Sequence, residues 1–214
     1  MEMVKSLQNQ RILKYILLVF IGSIILTISA KIKVPFYPVP MTMQTFVVIF
    51  IGMACGWKLG LATVSVYLLE GAYGFPVFAG TPIDGWQIAY LFGNHGIEAF
   101  GAGNIGINLT IQEGLGLGIP YMLGHTGGYL LGFLVAVFIA GYLDLKTNIV
   151  SIFLKLILSV SVIYILGLIW LGTLIGWDKP IFQLGAAPFL LAELFKILIL
   201  TLLTKKIIIF RKFI

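Results

Sequence analysis

Long apolar stretches constrain this chain more than any other feature of its sequence. Residues 12–30 and 150–176 are each long enough to cross a membrane as a helix, which takes about 20 apolar residues. Hydrophobic residues make up 60% of the chain and charged residues only 10%, so it has too little polar surface to coat a water-soluble globule. Because backbone groups in lipid must be hydrogen-bonded within the element, the spans are expected to be helices. We therefore predict an all-α polytopic membrane protein.

Six membrane-spanning helices are predicted, all within a single membrane domain covering residues 1–214. Residues 43–73 are apolar except for an interruption at 52–58, so this stretch is predicted to form two short helices joined by a tight turn. The predicted spans are residues 12–30, 43–56, 58–73, 123–143, 150–174 and 185–204.

The distribution of positive charge predicts the orientation of these spans. An even number of spans places both termini on one side of the membrane, and that side collects most of the basic residues, including Lys58, Lys146 and Lys205. The positive-inside rule therefore places both termini in the cytoplasm. We interpret the net charge of +6 as topology and contact with anionic lipid rather than nucleic-acid binding.

Two segments on the opposite side are predicted to lie over the mouth of the bundle. Residues 31–42 contain three prolines, which fix φ and remove backbone donors, so this segment is extended and forms either a stiff cover or a plain connector. Residues 81–122 form a long glycine-rich external insert with acidic residues but no Lys or Arg. We interpret this insert as a partly structured lid.

Glu193 and Lys196 are the charges that most directly indicate a binding site. Both fall deep in the last predicted span, where an unpaired charge is costly, and their i, i+3 spacing places them on one helix face. They form either a self-neutralising ion pair or, as we favour, part of a polar cavity that offers a small ligand one acceptor and one donor. Glu70 either faces the same cavity or reaches the interface. Gln44 hydrogen-bonds either a ligand or a neighbouring helix.

Small residues in the first span indicate close helix packing. Most are expected to pack within the molecule, and some form a candidate docking face for another membrane subunit. The candidate docking residues are Gly22, Ser23, Thr27 and Ala30.

The histidines provide an alternative function class, a multi-pass membrane hydrolase that uses His95, Glu98 and His125. The chain has no His-Glu-x-x-His motif, and two histidines with scattered carboxylates make a weak ligand set. It also has no Gly-x-Ser-x-Gly elbow and no Walker sequence. We therefore predict no catalytic residue, no metal site and no bound cofactor, and expect any ATP hydrolysis to come from a partner.

Four motifs, in order along nearly the whole chain, resemble the BioY family. Residues 38–46 read Pro-Val-Pro-Met-Thr-Met-Gln-Thr-Phe, and residues 70–77 read Glu-Gly-Ala-Tyr-Gly-Phe-Pro-Val. Residues 124–129 read Gly-His-Thr-Gly-Gly-Tyr, similar to the family's Gly-Pro-Thr-Gly-Gly-Tyr. Residues 188–196 read Pro-Phe-Leu-Leu-Ala-Glu-Leu-Phe-Lys, similar to its Pro-Phe-x-x-Gly-Asp-x-x-Lys.

The resemblance implies a six-helix substrate-binding subunit, the S component of an energy-coupling-factor (ECF) transporter in the bacterial plasma membrane. It implies biotin as the transported ligand, and as partners a transmembrane scaffold subunit and two ABC-type ATPases that use ATP. The last-helix acid and lysine that the family uses for ligand binding map here to Glu193 and Lys196. Another small vitamin remains the alternative ligand within transport.

The resulting hypothesis places biotin between the last three helices, near the outer face. Glu193 is expected to accept the ureido N–H groups, and Lys196 to orient that carboxylate or to donate to the ligand. Candidate partners for the ligand carboxylate are Lys31, Lys33, His125 or backbone N–H groups. The predicted binding residues are Glu193, Lys196, Tyr129, Gly127, Gly128, Gln44, Phe78 and Trp86.

Three departures from the family pattern affect this hypothesis. Glu193 replaces the usual Asp and lengthens the side chain by a methylene, and His125 replaces the usual proline. The glycine-rich insert of about forty residues is expected to stand where the family has a short loop.

Overall fold

The structure, a computed structural model, describes residues 2–34, 38–79 and 118–213. Within these ranges nearly all regular structure is helical, and the one sheet is a ribbon of two short strands. In chain order the elements are α1 (Glu2–Lys31), β1 (Lys33–Val34), β2 (Met41–Thr42), α2 (Gln44–Ala72), α3 (Gly118–Leu123), α4 (Gly127–Tyr142), α5 (Ile149–Ile175), α6 (Ile181–Gly185) and α7 (Leu190–Arg211).

Helix α2 reverses direction at Gly56, as the sequence predicts. Gly56 has φ +78° and ψ 170°, a conformation open to glycine but strained for other residues. A Cβ added to Gly60 would lie 3.3 Å from the Cα of Gly52, whereas eight residues along a continuous helix span about 12 Å. The two halves of α2 therefore pack against each other as a helical hairpin.

The α2 hairpin forms the centre of the bundle. It contacts α1, α4 and α7, and α4 packs in turn against α5. The core consists of apolar side chains such as Val48, Met53, Val64, Val137 and Ile163, all fully buried. Burial of this kind stabilises by about 1.5–3 kcal/mol for each large side chain.

The outer surface of the bundle is also apolar, as expected for a chain in lipid. Large hydrophobic side chains lie about half exposed along α1, α5 and α7, among them Ile24, Leu158 and Leu202. Within the described residues, three helical stretches are long and apolar enough by length and composition to cross a membrane: Ile12–Lys31, Gln44–Ala72 and Ile149–Ile175. The second of these is the α2 hairpin, which is broken at Gly56. Helix α4 is apolar but shorter, with 16 residues. The six spans and the cytoplasmic termini remain predictions.

The last helix begins later than the sequence predicts. Residues 181–185 form the separate short helix α6, and α7 starts only at Leu190 instead of residue 185. Pro188 lies between them, and its missing N–H and fixed φ prevent one continuous helix. This break places Glu193 in the first turn of α7.

Candidate functional site

Glu193 and Lys196 form a buried ion pair at the start of α7. The Lys196 Nζ lies 2.7 Å from Glu193 Oε1, and the two residues are only 7% and 5% exposed. The same ammonium donates to the carbonyl of Thr42 at 2.6 Å and to the hydroxyl of Thr45 at 3.0 Å. An ammonium has three donors, and here each has an acceptor. Lys196 therefore ties α7 to β2 and to the start of α2.

The second oxygen of the Glu193 carboxylate has no well-formed hydrogen bond within the described residues. Oε1 accepts from Lys196 and from the Thr45 hydroxyl at 2.8 Å. Oε2 is buried and meets no described donor in good hydrogen-bonding geometry, although the Tyr164 hydroxyl lies near enough to the carboxylate to form a hydrogen bond with it after a small adjustment. Leaving a buried acceptor unpaired costs about 1–3 kcal/mol, and more for a charged group. This oxygen is the strongest indication that the site binds a ligand with a hydrogen-bond donor.

Glu193 faces a cavity enclosed by β2, α2, α4, α5 and α7. The cavity has an empty volume of about 520 Å³, a figure that includes the open space at its mouth. Its apolar and aromatic lining includes Val39, Pro40, Met41, Tyr121, Tyr129, Leu130, Phe133, Ile163 and Phe189, and its polar lining includes Thr42, Gln44, Thr45, Thr126, Tyr164 and Glu193.

Gln44 lines the cavity and is held in one orientation. Its Nε2 donates to the Tyr67 hydroxyl at 2.6 Å, and that hydroxyl donates to the carbonyl of Val77 at 3.3 Å. Because the single Tyr67 proton is used on Val77, the Tyr67 oxygen must accept, which fixes the amide with its nitrogen toward Tyr67. Nε2 carries two hydrogens, so its second N–H can donate into the cavity.

Tyr129 also lines the cavity, whereas Gly127 and Gly128 do not. The Tyr129 hydroxyl donates to the carbonyl of Gly185 at 2.8 Å and joins α4 to α6. A Cβ on Gly128 would lie 2.3 Å from the Cβ of Trp170, and one on Gly127 would lie 2.0 Å from a backbone oxygen. Gly128 therefore lets α4 approach α5, and Gly127 lets α4 approach the end of α3, so both glycines serve packing rather than contact with the cavity.

Phe78 lies behind the cavity wall rather than on it. It is fully buried, packs edge-on against Tyr67 and stacks on Tyr121, with ring centroids 5.5 Å and 4.9 Å away. Tyr121 is the ring that lines the cavity. Trp86, the remaining predicted binding residue, lies outside the described residues.

The candidate docking residues of α1 mostly face the interior. Gly22 and Ser23 are buried, as is Ala30, while Thr27 is half-buried. The Ser23 hydroxyl donates to a carboxylate oxygen of Glu70 on α2, so Glu70 is bound to α1 and does not line the cavity. The physical reason is that close approach of α1 to α2 uses these small residues, which leaves the isoleucine-rich opposite face of α1 exposed.

The histidine hypothesis gains no support from the described part of the chain. No cluster of three or more His, Cys, Asp or Glu side chains forms there, and His95 and Glu98 lie outside it. His125 lies in the turn before α4, where burial lowers its pKa.

Several cavity residues were missed by the sequence analysis. Tyr164 and Ile163 sit within a uniformly apolar span, and no local signal separates them from lipid-facing neighbours. Thr126 and Phe189 lie inside the family-like motifs at 124–129 and 188–196, which was the signal that could have found them.

The bundle and its cavity define a helical membrane protein with an internal cavity that is lined by both apolar and polar side chains. The BioY family model matches residues 3–96 and 100–212. The chain therefore belongs to the BioY family. The match runs through most of residues 81–122, the segment interpreted above as an insert.

Individual relatives agree with this assignment. The chain is 32% identical to a probable biotin transporter BioY from Pyrococcus horikoshii over 79% of this chain and 81% of that protein. It is 27% identical to the biotin transporter BioY of Thermotoga maritima, over 86% of this chain and 89% of the other. A crystal structure of the S-component for biotin from an ECF-type ABC transporter matches with a TM-score of 0.63 at 20% identity, over 96% of this chain and 93% of that one. This last likeness supports the fold.

Proposed function

We propose that this chain takes up biotin as the substrate-binding S component of an ECF-type transporter. The observation that carries the proposal is the buried Oε2 of Glu193, which has no described donor in good hydrogen-bonding geometry beside an open, partly aromatic cavity, in a chain whose relatives are named biotin transporters. No observation on the described residues favours a hydrolase over this function.

Biotin complements the polar groups that the cavity presents. Its ureido group has two N–H donors and one carbonyl acceptor, and the rest of the fused rings is apolar. Glu193 Oε2 accepts a ureido N–H, and the second N–H of Gln44 donates to the ureido carbonyl. Tyr129, Tyr164 and Phe189 supply aromatic walls around the rings.

Lys196 acts in this proposal as a positioning residue. All three of its donors are used on Thr42, Thr45 and Glu193, which leaves none for the ligand. Its ammonium donates to Oε1 of Glu193 and fixes the rotamer that aims Oε2 into the cavity. Of the two roles predicted for Lys196, orienting the carboxylate is therefore the one we propose.

The remaining elements of the proposal concern topology and partners. Six spans with cytoplasmic termini would set the cavity toward the outside, with residues 81–122 as its cover. A transmembrane scaffold subunit and ATP-hydrolysing subunits drive transport, and the exposed isoleucine-rich face of α1 is available to such a partner. A multi-pass location in the plasma membrane of a bacterial cell follows from the same proposal.

The test is biotin affinity of the purified protein in detergent, measured by calorimetry, with dethiobiotin and thiamine as competitors. We expect nanomolar biotin binding, displacement by dethiobiotin, which keeps the ureido group, and none by thiamine. Glu193→Gln should weaken biotin binding by about 10- to 100-fold, the value of a hydrogen bond to a charged group. Asp178→Asn, at an exposed acid outside the cavity, is the matched control and should bind normally.

A test on the ligand leaves the protein unchanged and so cannot be confused with misfolding. Biotin methylated on a ureido nitrogen loses a donor and should bind far more weakly than biotin. Equal affinity for the two ligands, or normal biotin binding by Glu193→Gln, would remove Glu193 from the site. Absence of biotin binding to the wild-type protein at micromolar concentration would overturn the function itself.

A further inference from the structure

Two lysines lie at the rim of the cavity. The Lys31 Nζ donates to the carbonyl of Phe78 at 2.7 Å, and the Lys33 Nζ donates to the carbonyl of Ala79 at 2.6 Å. Ala79 itself lines the cavity, so the Lys33 ammonium lies within one hydrogen bond of the cavity wall. Lys33 is exposed, and its bond to a neutral carbonyl leaves its charge uncompensated by any carboxylate of the described residues.

The β1–β2 ribbon fixes the distance from Lys33 to the polar end of the cavity. Lys33 pairs with Thr42, and the Thr42 carbonyl accepts from Lys196 at 2.6 Å. Paired Cα atoms lie about 5 Å apart, so the Lys33 backbone is within about 10 Å of the Lys196 ammonium. The long Lys33 side chain carries its charge from there toward Ala79 and the mouth.

The charges along the cavity are therefore separated by sign. At one end Glu193 presents an unpaired acceptor oxygen, and its formal charge is matched by Lys196. At the rim Lys33 makes no ion pair with any carboxylate of the described residues. A ligand that satisfies both ends has N–H donors on one end, an apolar body, and an anionic group on the other.

We propose that Lys33, with Lys31 beside it, binds the carboxylate of the ligand at the cavity rim. This inference rests on the proposed function and adds the orientation of biotin: the ureido ring lies against Glu193 and the pentanoate chain points to the β1–β2 ribbon. Lys33 then discriminates acids from their neutral derivatives.

The test compares biotin with biotinamide, in which a neutral amide replaces the carboxylate. We expect wild-type protein to prefer biotin over biotinamide, and Lys33→Met to weaken biotin binding by about five- to thirtyfold while biotinamide binding changes less than twofold. Biotin affinity should fall with rising salt in the wild type and become insensitive to salt in Lys33→Met. Lys179→Met removes an exposed lysine outside the cavity and is the matched control.

The outcomes separate this inference from the function on which it rests. If the wild type binds biotin tightly, and Lys33→Met either weakens biotin and biotinamide equally or weakens neither, the carboxylate site is overturned. Biotin uptake would still stand. Wild-type protein that binds neither ligand would overturn both. Loss of biotin binding alone in Lys33→Met, with biotinamide retained, also rules out a merely structural role of the bond to Ala79.

Discussion

Replacing Lys196 with methionine tests whether the ion pair holds this site together. The substitution removes the ammonium that bridges Glu193, Thr45 and the Thr42 carbonyl, while a methionine fills a similar volume. Glu193, 5% exposed, then keeps the Thr45 hydroxyl as its donor among the hydrogen bonds of the described residues and loses its counter-charge. Breaking a buried pair by removing one partner costs about 3–5 kcal/mol because the remaining charge is uncompensated.

The expected consequence is a large loss of stability together with a loss of binding. For a chain of this size, about 3–5 kcal/mol corresponds to a fall of roughly 6–20 °C in the thermal unfolding midpoint. Biotin binding should also weaken, because Glu193 loses the contact that fixes its orientation. The unfolding midpoint in detergent, followed by tryptophan fluorescence, and calorimetry of biotin binding measure the two effects separately.

A double variant distinguishes the charge from the packing. Glu193→Leu with Lys196→Met replaces the pair by apolar side chains of similar volume, and such replacements are often neutral in stability. We therefore expect the double variant to recover most of the lost midpoint and to bind no biotin. A double variant as unstable as Lys196→Met alone would refute the reasoning, because the damage would then come from lost shape rather than from an unpaired charge.

Two further predictions concern residues near the site that the structure keeps out of it. Glu70→Gln should leave biotin affinity within about twofold, because Glu70 is bound to a serine of α1 and does not line the cavity; calorimetry showing a tenfold loss would contradict that placement. Gly128→Ala should lower the unfolding midpoint by an amount typical of overpacking, about 1–3 kcal/mol, because its Cβ would lie 2.3 Å from that of Trp170; an unchanged midpoint would show that α4 and α5 separate without cost.

Much of the helix pattern could be predicted from local sequence. The break in α2 was predicted because a glycine and a lysine interrupt an apolar run, and Gly56 takes the positive φ that such a turn requires. The start of α7 was predicted too early, because hydropathy continues smoothly through residues 185–189 and only Pro188 marks the break. Hydropathy shows where a chain is apolar and for how many residues, whereas the residue at which a helix begins or ends depends on backbone geometry.

The docking residues of α1 show a different limit of sequence reasoning. Small residues mark a face on which helices approach closely, but they do not say which helix approaches. The structure uses Gly22 and Ser23 against α2, where a Cβ on Gly22 would lie 2.6 Å from Thr63. The partner of a small-residue face is a property of the assembled bundle.

The sequence alone determined that this chain lies in lipid, that it is helical, and that a carboxylate and an ammonium share one face of its last helix. An apolar chain with charges confined to few positions must be helical in lipid, and a carboxylate and an ammonium three residues apart must share a helix face. Which oxygen of Glu193 is left unpaired was decided only when β2 brought the Thr42 carbonyl and Thr45 to Lys196. The same ribbon set Lys33 at the cavity rim, because residues far apart in sequence acquire distances only when the chain folds back on itself.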